Sequence, residues 1–360
     1  MKKRNFNTLT ISFFATLFGL VAGALLIWAI GGNPIEGYGY IIKGALGIGF
    51  EGFSRLGDTL STSAPLILTG LSVAFAFRTG LFNIGAAGQM LFGGFCALAV
   101  GLSVNLPQPL MIPLIILVSF VGGAFWGLIP GLLKAIFNVH EVVSTIMLNW
   151  ISYWLVYYGV QTFFKAATIE TESKQVPEVS SLRLGWLSDL FNDSVINFGI
   201  FIAISAVIIV AFILNKTVLG FELKAVGFNR HAAEYAGVNV KRNIVMSMMI
   251  AGGLAGLAGA AEFLGNGTSI QIGVMPTQGF DGIAVALIGA NTPIGAMFAA
   301  FFFAVLYTGK GFMSANTTIP PMIADTIIAT IIYFAATSVL IEKGLTKLSN
   351  LRGKRGGKNE

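Results

Sequence analysis

The sequence predicts an all-α integral membrane protein, a single domain of about ten membrane-spanning helices. Charged residues make up only 11% of the 360 residues, which is under half the share that soluble domains usually carry. Too little charge therefore remains to cover a surface exposed to water. The chain is 55% apolar and contains 45 glycines, which favours helices packed closely in lipid, because glycine lets helix backbones approach each other.

Apolar stretches along the chain define the predicted helices. A helix needs about 20 residues to cross a hydrocarbon core of about 30 Å. Seven stretches are long enough, at about 8–30, 60–77, 110–133, 142–164, 195–215, 244–263 and 321–341. Three more are shorter or rich in glycine, at about 81–101, 279–290 and 294–309. Such interrupted segments are tolerated at membrane depth only where protein or a water-filled cavity satisfies the freed backbone groups.

Glycines at four-residue intervals predict where helices cross closely. Gly123, Gly127 and Gly131 fall on one helical face, and Gly252 and Gly256 fall on another. This spacing contributes contact between helices rather than chemistry. We therefore interpret both sets as packing surfaces.

Basic residues predict the orientation of the bundle. The first apolar stretch follows Lys2, Lys3 and Arg4, and it is too long for the apolar core of a signal peptide, so we expect an uncleaved helix that starts in the cytoplasm. Ten spans from that start place most of the 22 Lys and Arg inside, which satisfies the positive-inside rule with both termini cytoplasmic. The basic residues left outside are Lys43, Arg55, Lys165, Lys174, Arg183 and Lys310.

Three regions outside the spans have distinct characters. Residues 165–194 are polar and acidic and are predicted to form a short extracellular segment. Residues 216–243 carry five basic side chains and are predicted to be cytoplasmic, as is the basic tail at 342–360. The helical bundle itself is predicted to cover 8–341.

The cytoplasmic segment 216–243 contains the signals of two short helices. Asn229 is placed to cap the second of them, and Gly237 is placed to end it in a left-handed conformation. The pattern predicts a helix-turn-helix on which Ala232, Ala233 and Ala236 form a docking surface of small residues. An ordinary basic loop that only anchors the topology is the alternative interpretation.

Enzymatic and cofactor chemistry find no support in the sequence. His140 and His231 have no cysteine or second histidine at ligand spacing, so no metal site is predicted. Gly309-Lys310 lacks the earlier glycine and the following hydroxyl of the phosphate-binding motif, so no nucleotide site is predicted either. Cys96 is the only cysteine and cannot form an internal disulfide. No motif for RNA or DNA binding accompanies the net charge of +6.

One segment carries a family resemblance. The stretch GFELKAVGFNRHAAEYAG at 220–237 resembles the cytoplasmic coupling loop of permeases in the ribose and branched-chain amino-acid group of ABC importers. In that family the loop carries the coupling helix that seats in the ATPase subunit, and ATP is held by that separate chain. The resemblance implies that the ATPase-coupling residues are Glu222, Lys224, Gly227, Asn229, Arg230, Ala232, Ala233, Glu234 and Gly237.

Three further segments resemble the nucleoside and simple-sugar branch of this family: RTGLFNIGAAGQ at 78–89, HEVVSTIMLN at 140–149 and AGGLAGLAG at 251–259. The resemblance covers roughly 60–340 and is strongest to the larger permease subunit of the lipoprotein-dependent nucleoside importers of Gram-positive bacteria. It implies a type II importer bundle with interrupted helices that moves nucleosides into the cell. The implied partners are an ATPase subunit, a second and different permease, an extracellular substrate-binding lipoprotein and membrane lipid.

Polar residues inside the spans are candidates for the solute path, because such groups are costly in lipid unless they face a partner or a cavity. The five candidates are Asn83, Gln89, Asn149, Asn291 and Asp325. Glu262 and Asp281, nearer the outer face, are weaker candidates. For each residue, a hydrogen bond between helices is the alternative role. Uncharged amides outnumber acids among them, which suits a neutral solute.

Other functions remain open at this point. A permease for ribose or galactose would have the same architecture. A secondary transporter would need no ATPase, and a buried carboxylate pair would favour it, but only Asp325 is clearly placed within a span. A membrane scaffold would show no dependence on a solute.

Overall fold

The computed structural model describes residues 8–49, 53–167 and 169–337. Within these ranges the chain forms fourteen α-helices, and strand pairing is limited to two isolated bridges. The first seven helices are α1 (Thr8–Ala29), α2 (Pro34–Leu46), α3 (Ser54–Arg78), α4 (Ala86–Ser103), α5 (Gln108–Phe137), α6 (Glu141–Gly159) and α7 (Gly185–Leu190). The others are α8 (Gly199–Lys216), α9 (Val218–Phe228), α10 (Arg230–Tyr235), α11 (Val240–Ala261), α12 (Gln278–Ile288), α13 (Pro293–Asn316) and α14 (Met322–Ala336).

The all-α prediction is confirmed, and each of the ten predicted spans coincides with a helix. Among the described residues, seven helices are long and apolar enough to cross a membrane, namely α1, α3, α4, α5, α8, α11 and α13. α6 is lengthened by a π-helical turn at Val160–Phe164. The predicted span 321–341 runs past Thr337, the last described residue.

α12 is an interrupted helix, as its glycine-rich sequence predicts. Its 11 residues rise about 16 Å at 1.5 Å per residue, which is half of a hydrocarbon core. It begins inside the bundle, because a Cβ on Gly279 would lie 2.3 Å from the Cα of Ala87 in the first turn of α4. α4 in turn follows a loop in which Leu81 and Asn83 are fully buried.

The glycine faces predicted on α5 and α11 pack against each other. A Cβ on Gly123 would lie 2.2 Å from the carbonyl oxygen of Gly252, and one on Gly127 would lie 2.3 Å from the carbonyl oxygen of Met248. No side chain fits between backbones this close. The two helices form the centre of the bundle, where Ala251, Ala255 and their neighbours on α11 are buried.

The bundle has two distinct ends. At one of them α9 and α10 form a hairpin (residues 217–239, the hairpin end) beside the last turn of α3. At the opposite end, residues 169–194 cover the connection between α11 and α12, where the backbone of Ser173 bonds to that of Ile270 at 2.9 Å and Ile272 bonds to Thr171 at 2.8 Å.

Candidate functional site

The hairpin between α8 and α11 is built by caps that its sequence encodes. Thr217 Oγ1 accepts a hydrogen bond from the Gly220 amide (3.2 Å) at the start of α9. Asn229 Oδ1 accepts one from the Ala232 amide (3.0 Å) at the start of α10. Gly237 follows α10 with φ +83°, a conformation that glycine adopts without steric cost. The predicted cap at Asn229 and the left-handed end at Gly237 are confirmed.

The inner side of the hairpin is attached to the bundle. Leu223 is fully buried. A Cβ on Gly227 would lie 2.2 Å from the carbonyl oxygen of Arg78, so only glycine lets α9 approach the end of α3 this closely. Glu222 Oε2 accepts a hydrogen bond from Nδ2 of Asn243 on α11 (2.8 Å). Glu222 and Gly227 therefore link the hairpin to two of the long helices.

The outer side of the hairpin presents aromatic and charged side chains. Phe228 and Tyr235 are 91% and 95% exposed. Glu234 is exposed, and Lys224 and Arg230 are partly exposed. Aromatic side chains are enriched at protein interfaces, so this surface is a candidate for contact with a partner. Sequence reasoning missed both aromatics, although their place in the segment 216–243, outside the predicted spans, was a signal that could have found them.

The three alanines expected on the docking surface do not share one face. Ala232 and Ala236 are exposed, whereas Ala233 is only 4% exposed. Residues four apart lie on the same side of a helix, whereas Ala233, next to Ala232, points in a different direction. The expected exposure of Ala233 is therefore wrong, and this residue packs α10 onto the rest of the chain.

Three of the predicted path residues lie together, at the start of α4. Asn83 and Gln89 exchange side-chain hydrogen bonds of 2.8 and 3.1 Å. Asn149 on α6 accepts a bond from the Gly88 amide (2.9 Å) and donates one to the Ile84 carbonyl (3.1 Å). None of the three amides is more than 3% exposed. These contacts support the alternative role, in which the amides hold the loop before α4 against α6.

The other two predicted path residues lie elsewhere. Asn291, with φ +52°, is in the turn between α12 and α13, where its carbonyl accepts a bond from Arg78 Nε (2.9 Å). Asp325 is on an exposed face of α14 and forms an ion pair with Lys310 (2.7 Å). The structure therefore does not bring the five predicted residues to one place.

A cavity of about 350 Å³ lies at the opposite end of the bundle, where α11 breaks before α12. It is lined by Glu262, which begins a π-helical turn at Glu262–Asn266. Glu262 Oε2 accepts a hydrogen bond from Asn266 Nδ2 and Oε1 accepts one from Gln278 Nε2, both at 2.9 Å. Asp281, the other weaker candidate, accepts a bond from the Tyr307 hydroxyl (2.9 Å). Of these two candidates, Glu262 lines the cavity and Asp281 does not; Glu172 is the other acid in the lining.

Comparison with known proteins adds a family and several relatives. Residues 55–336 match the family described as the permease component of branched-chain amino acid transport systems. The nucleoside ABC transporter permease protein NupB of Lactococcus lactis subsp. cremoris is 41% identical over 97% of this chain and 96% of its own length. The guanosine ABC transporter permease protein NupP of Bacillus subtilis is 40% identical over 96% of this chain and 98% of its own.

A second guanosine permease of Bacillus subtilis is also similar. The guanosine ABC transporter permease protein NupQ is 30% identical over 68% of this chain and 78% of its own length. No solved structure matches the chain.

Proposed function

Since the chain belongs to the family of permease components of branched-chain amino acid transport systems, we propose that it is the nucleoside-translocating permease of an ABC importer. The observation that carries this proposal is the similarity to the nucleoside permease NupB, which extends over 97% of the chain at 41% identity. The chain is a transport subunit rather than an enzyme. ATP hydrolysis takes place in a separate subunit, which the exposed side of the hairpin is suited to contact.

The importer needs a second permease, and a different chain is the better candidate for it. Two guanosine ABC transporter permeases of Bacillus subtilis, NupP and NupQ, both resemble this chain, but the match to NupP covers 96% of this chain and the match to NupQ only 68%. A complex of two unlike permeases is therefore supported. An extracellular substrate-binding lipoprotein delivers the nucleoside to this pair, and the permeases remain in the cell membrane with lipid around them.

The hairpin is placed to pass a movement of the ATPase to the helices. Gly227 touches the end of α3 at Arg78, and Arg78 Nε in turn bonds to the carbonyl of Asn291. Asn291 lies between the interrupted helix α12 and α13, so a displacement of the hairpin reaches the turn that joins these two helices. Alternating access through movement of such segments about a midplane site is the general behaviour of transporters with broken helices.

This mechanism requires the hairpin end to face the cytoplasm, with both termini on the same side. We expect Ala236→Cys, in a Cys96→Ser background, to resist an impermeant maleimide in intact cells and to react after permeabilisation. Gln175→Cys at the opposite end is the matched control, because Gln175 is similarly exposed, and it should react in intact cells. Labelling of Ala236→Cys in intact cells would overturn the orientation and with it the docking of an ATPase.

The transport function is tested by uptake. We expect proteoliposomes that contain both permeases and the ATPase to accumulate guanosine from the loaded binding protein. Accumulation should occur only when ATP is present on the side of the membrane that the ATPase faces. Uptake that follows a proton gradient without ATP would identify a secondary transporter instead.

The triple variant Glu222→Ala, Arg230→Ala, Glu234→Ala should lower uptake at least tenfold, about 1.4 kcal/mol, without loss of membrane insertion. Unchanged uptake and unchanged copurification of the ATPase would refute the coupling assignment.

A further inference from the structure

The cavity at the opposite end lies where two helices are interrupted. α11 leaves regular α geometry at Glu262 and continues as a π turn to Asn266, and α12 begins only at Gln278. π turns within helices are frequent at functional sites, and solute sites of transporters are commonly formed by discontinuous helices. The connecting residues 267–277 supply one wall of the cavity.

The hydrogen bonds around Glu262 fix its carboxyl group as an acceptor. The Gly199 amide donates to Asn197 Oδ1 (2.8 Å), so the other side-chain atom of Asn197, Nδ2, is a donor, and it bonds to Asn266 Oδ1 (2.9 Å). Asn266 must then present its Nδ2 to Glu262. The first of these bonds comes from the backbone N–H of Gly199, which can only donate. The directions of the bonds from Asn197 to Asn266 and from Asn266 to Glu262 follow from it. Gln278 Nε2 donates to the other carboxyl oxygen of Glu262.

The carboxyl group of Glu262 can accept further hydrogen bonds. A carboxylate offers about four acceptor sites, and two of those on Glu262 are used by Asn266 and Gln278. The ion pairs in the described part of the chain join Lys134 to Glu141 and Lys310 to Asp325, so Glu262 accepts only from neutral amides there. A buried acid without a cationic partner is costly, which favours a ligand that donates hydrogen bonds to it.

Apolar side chains form part of the remaining lining and can pack against the face of a flat ring. Phe263, Val274, Met275 and Pro276 line the cavity beside the polar residues Glu172, Ser269, Gln271 and Thr277. Its volume of about 350 Å³ is within the range of about 300–1,000 Å³ typical of small-molecule sites. A lining with both polar and apolar side chains matches a molecule that has a sugar and a base.

We propose that this cavity is the permease's own nucleoside-binding site, in which Glu262 accepts hydrogen bonds from the adjacent 2′- and 3′-hydroxyls of the ribose. The base then lies against the apolar walls formed by Phe263 and Met275. The inference rests on the proposed nucleoside import and gives the permease a selectivity for ribose that is separate from that of the binding protein. Asn266 and Gln278 are positioning residues, because they hold the carboxyl group in place.

The test compares guanosine with 2′-deoxyguanosine, which lacks one of the two hydroxyls. In the reconstituted importer, Glu262→Gln should lower guanosine uptake about tenfold and leave 2′-deoxyguanosine uptake within twofold, since the amide replaces one acceptor oxygen by a donor. The ratio of the two uptake rates should therefore fall at least fivefold. The same binding protein delivers both solutes to the wild-type importer and to the variant importer. Its own preference between the solutes therefore cancels when the two uptake ratios are compared.

Further variants separate recognition from folding. Gln278→Met removes one donor that orients the carboxyl group and should shift the ratio in the same direction by a smaller factor. Glu178→Gln is the matched control, because Glu178 is exposed at the same end and outside the cavity, and it should leave the ratio unchanged. Both cavity variants should insert and copurify with the ATPase as the wild type does.

Two outcomes would overturn the assignment. An unchanged guanosine to 2′-deoxyguanosine ratio in Glu262→Gln, with active wild-type import, would remove Glu262 from solute recognition while leaving nucleoside import intact. A change confined to the guanosine to inosine ratio would show that the carboxyl group contacts the base edge and not the ribose. Absence of guanosine uptake by the wild-type complex would instead contradict the proposed function itself.

Discussion

Replacing Gly256 with leucine is expected to prevent assembly of the bundle. A Cβ at this position would lie 2.1 Å from the carbonyl oxygen of Ser119 and 3.0 Å from the Cα of Gly123 on α5. Both are backbone atoms, which cannot rotate away as a side-chain end could. Overpacking of a core costs about 1–3 kcal/mol where side chains can adjust, and a leucine between two backbones should exceed that range. The measurement is the fraction of monodisperse protein on size-exclusion chromatography, which should fall close to zero.

The matched control is Gly311→Ala on α13. Gly311 is also helical, but nothing lies within 4 Å of a Cβ built on it. An exposed helical glycine replaced by alanine gains about 0.5–1 kcal/mol in helix propensity, so this variant should be as stable as the wild type or slightly more so. A well-folded Gly256→Leu protein would contradict the close crossing of α5 and α11.

The sequence predicts those features of the fold that depend on local pattern. Apolar length gives seven of the ten predicted helices, and the spacing of Gly123, Gly127, Gly252 and Gly256 marks α5 and α11 as closely packed helices, although it does not show that they pack against each other. α2 was not predicted, because its 13 residues include charges and are too short to cross a membrane. Its place depends on tertiary packing against α13, where a Cβ on Gly44 would lie 2.3 Å from Phe312.

Less of the candidate site could be predicted, because only part of it depends on local sequence. The caps of the hairpin are local, so Asn229 and Gly237 could be assigned from sequence. The side of α10 that faces the bundle could not be assigned from sequence. Six residues are too few for a periodic pattern to show which alanine faces inward. Asn149 was recognised as polar within a span, but its partners Ile84 and Gly88 are 65 and 61 residues away. Pattern alone gives no means of choosing between a path and a packing role for such a residue.

The second large effect is expected at the exposed aromatics of the hairpin. The double variant Phe228→Ala, Tyr235→Ala should weaken binding of the ATPase subunit about a hundredfold. Full burial of one large apolar side chain contributes about 1.5–3 kcal/mol, so loss of two corresponds to about 3 kcal/mol or more, and each 1.4 kcal/mol is a factor of ten. Affinity is measured by titrating purified ATPase onto the permease complex in nanodiscs.

The variant should not disturb the fold, because both rings are more than 90% exposed and leave no gap in the bundle when removed. ATP-dependent guanosine uptake should fall with the affinity and recover partly when the ATPase is added in excess. Recovery at high concentration is the mark of weakened docking, since an unfolded permease would stay inactive at any ATPase concentration.

Trp186→Ala supplies the matched control for an exposed aromatic residue. Trp186 is 61% exposed but lies on α7 at the opposite end, so its loss should leave ATPase affinity unchanged. The comparison also decides where Phe228 and Tyr235 reside, because aromatic rings at a bundle end can instead lie among lipid headgroups. Rings in that position would stabilise the permease in the bilayer without touching the ATPase. Unchanged affinity of the double variant would therefore place them in the lipid and would transfer the docking role to the charges of α9 and α10.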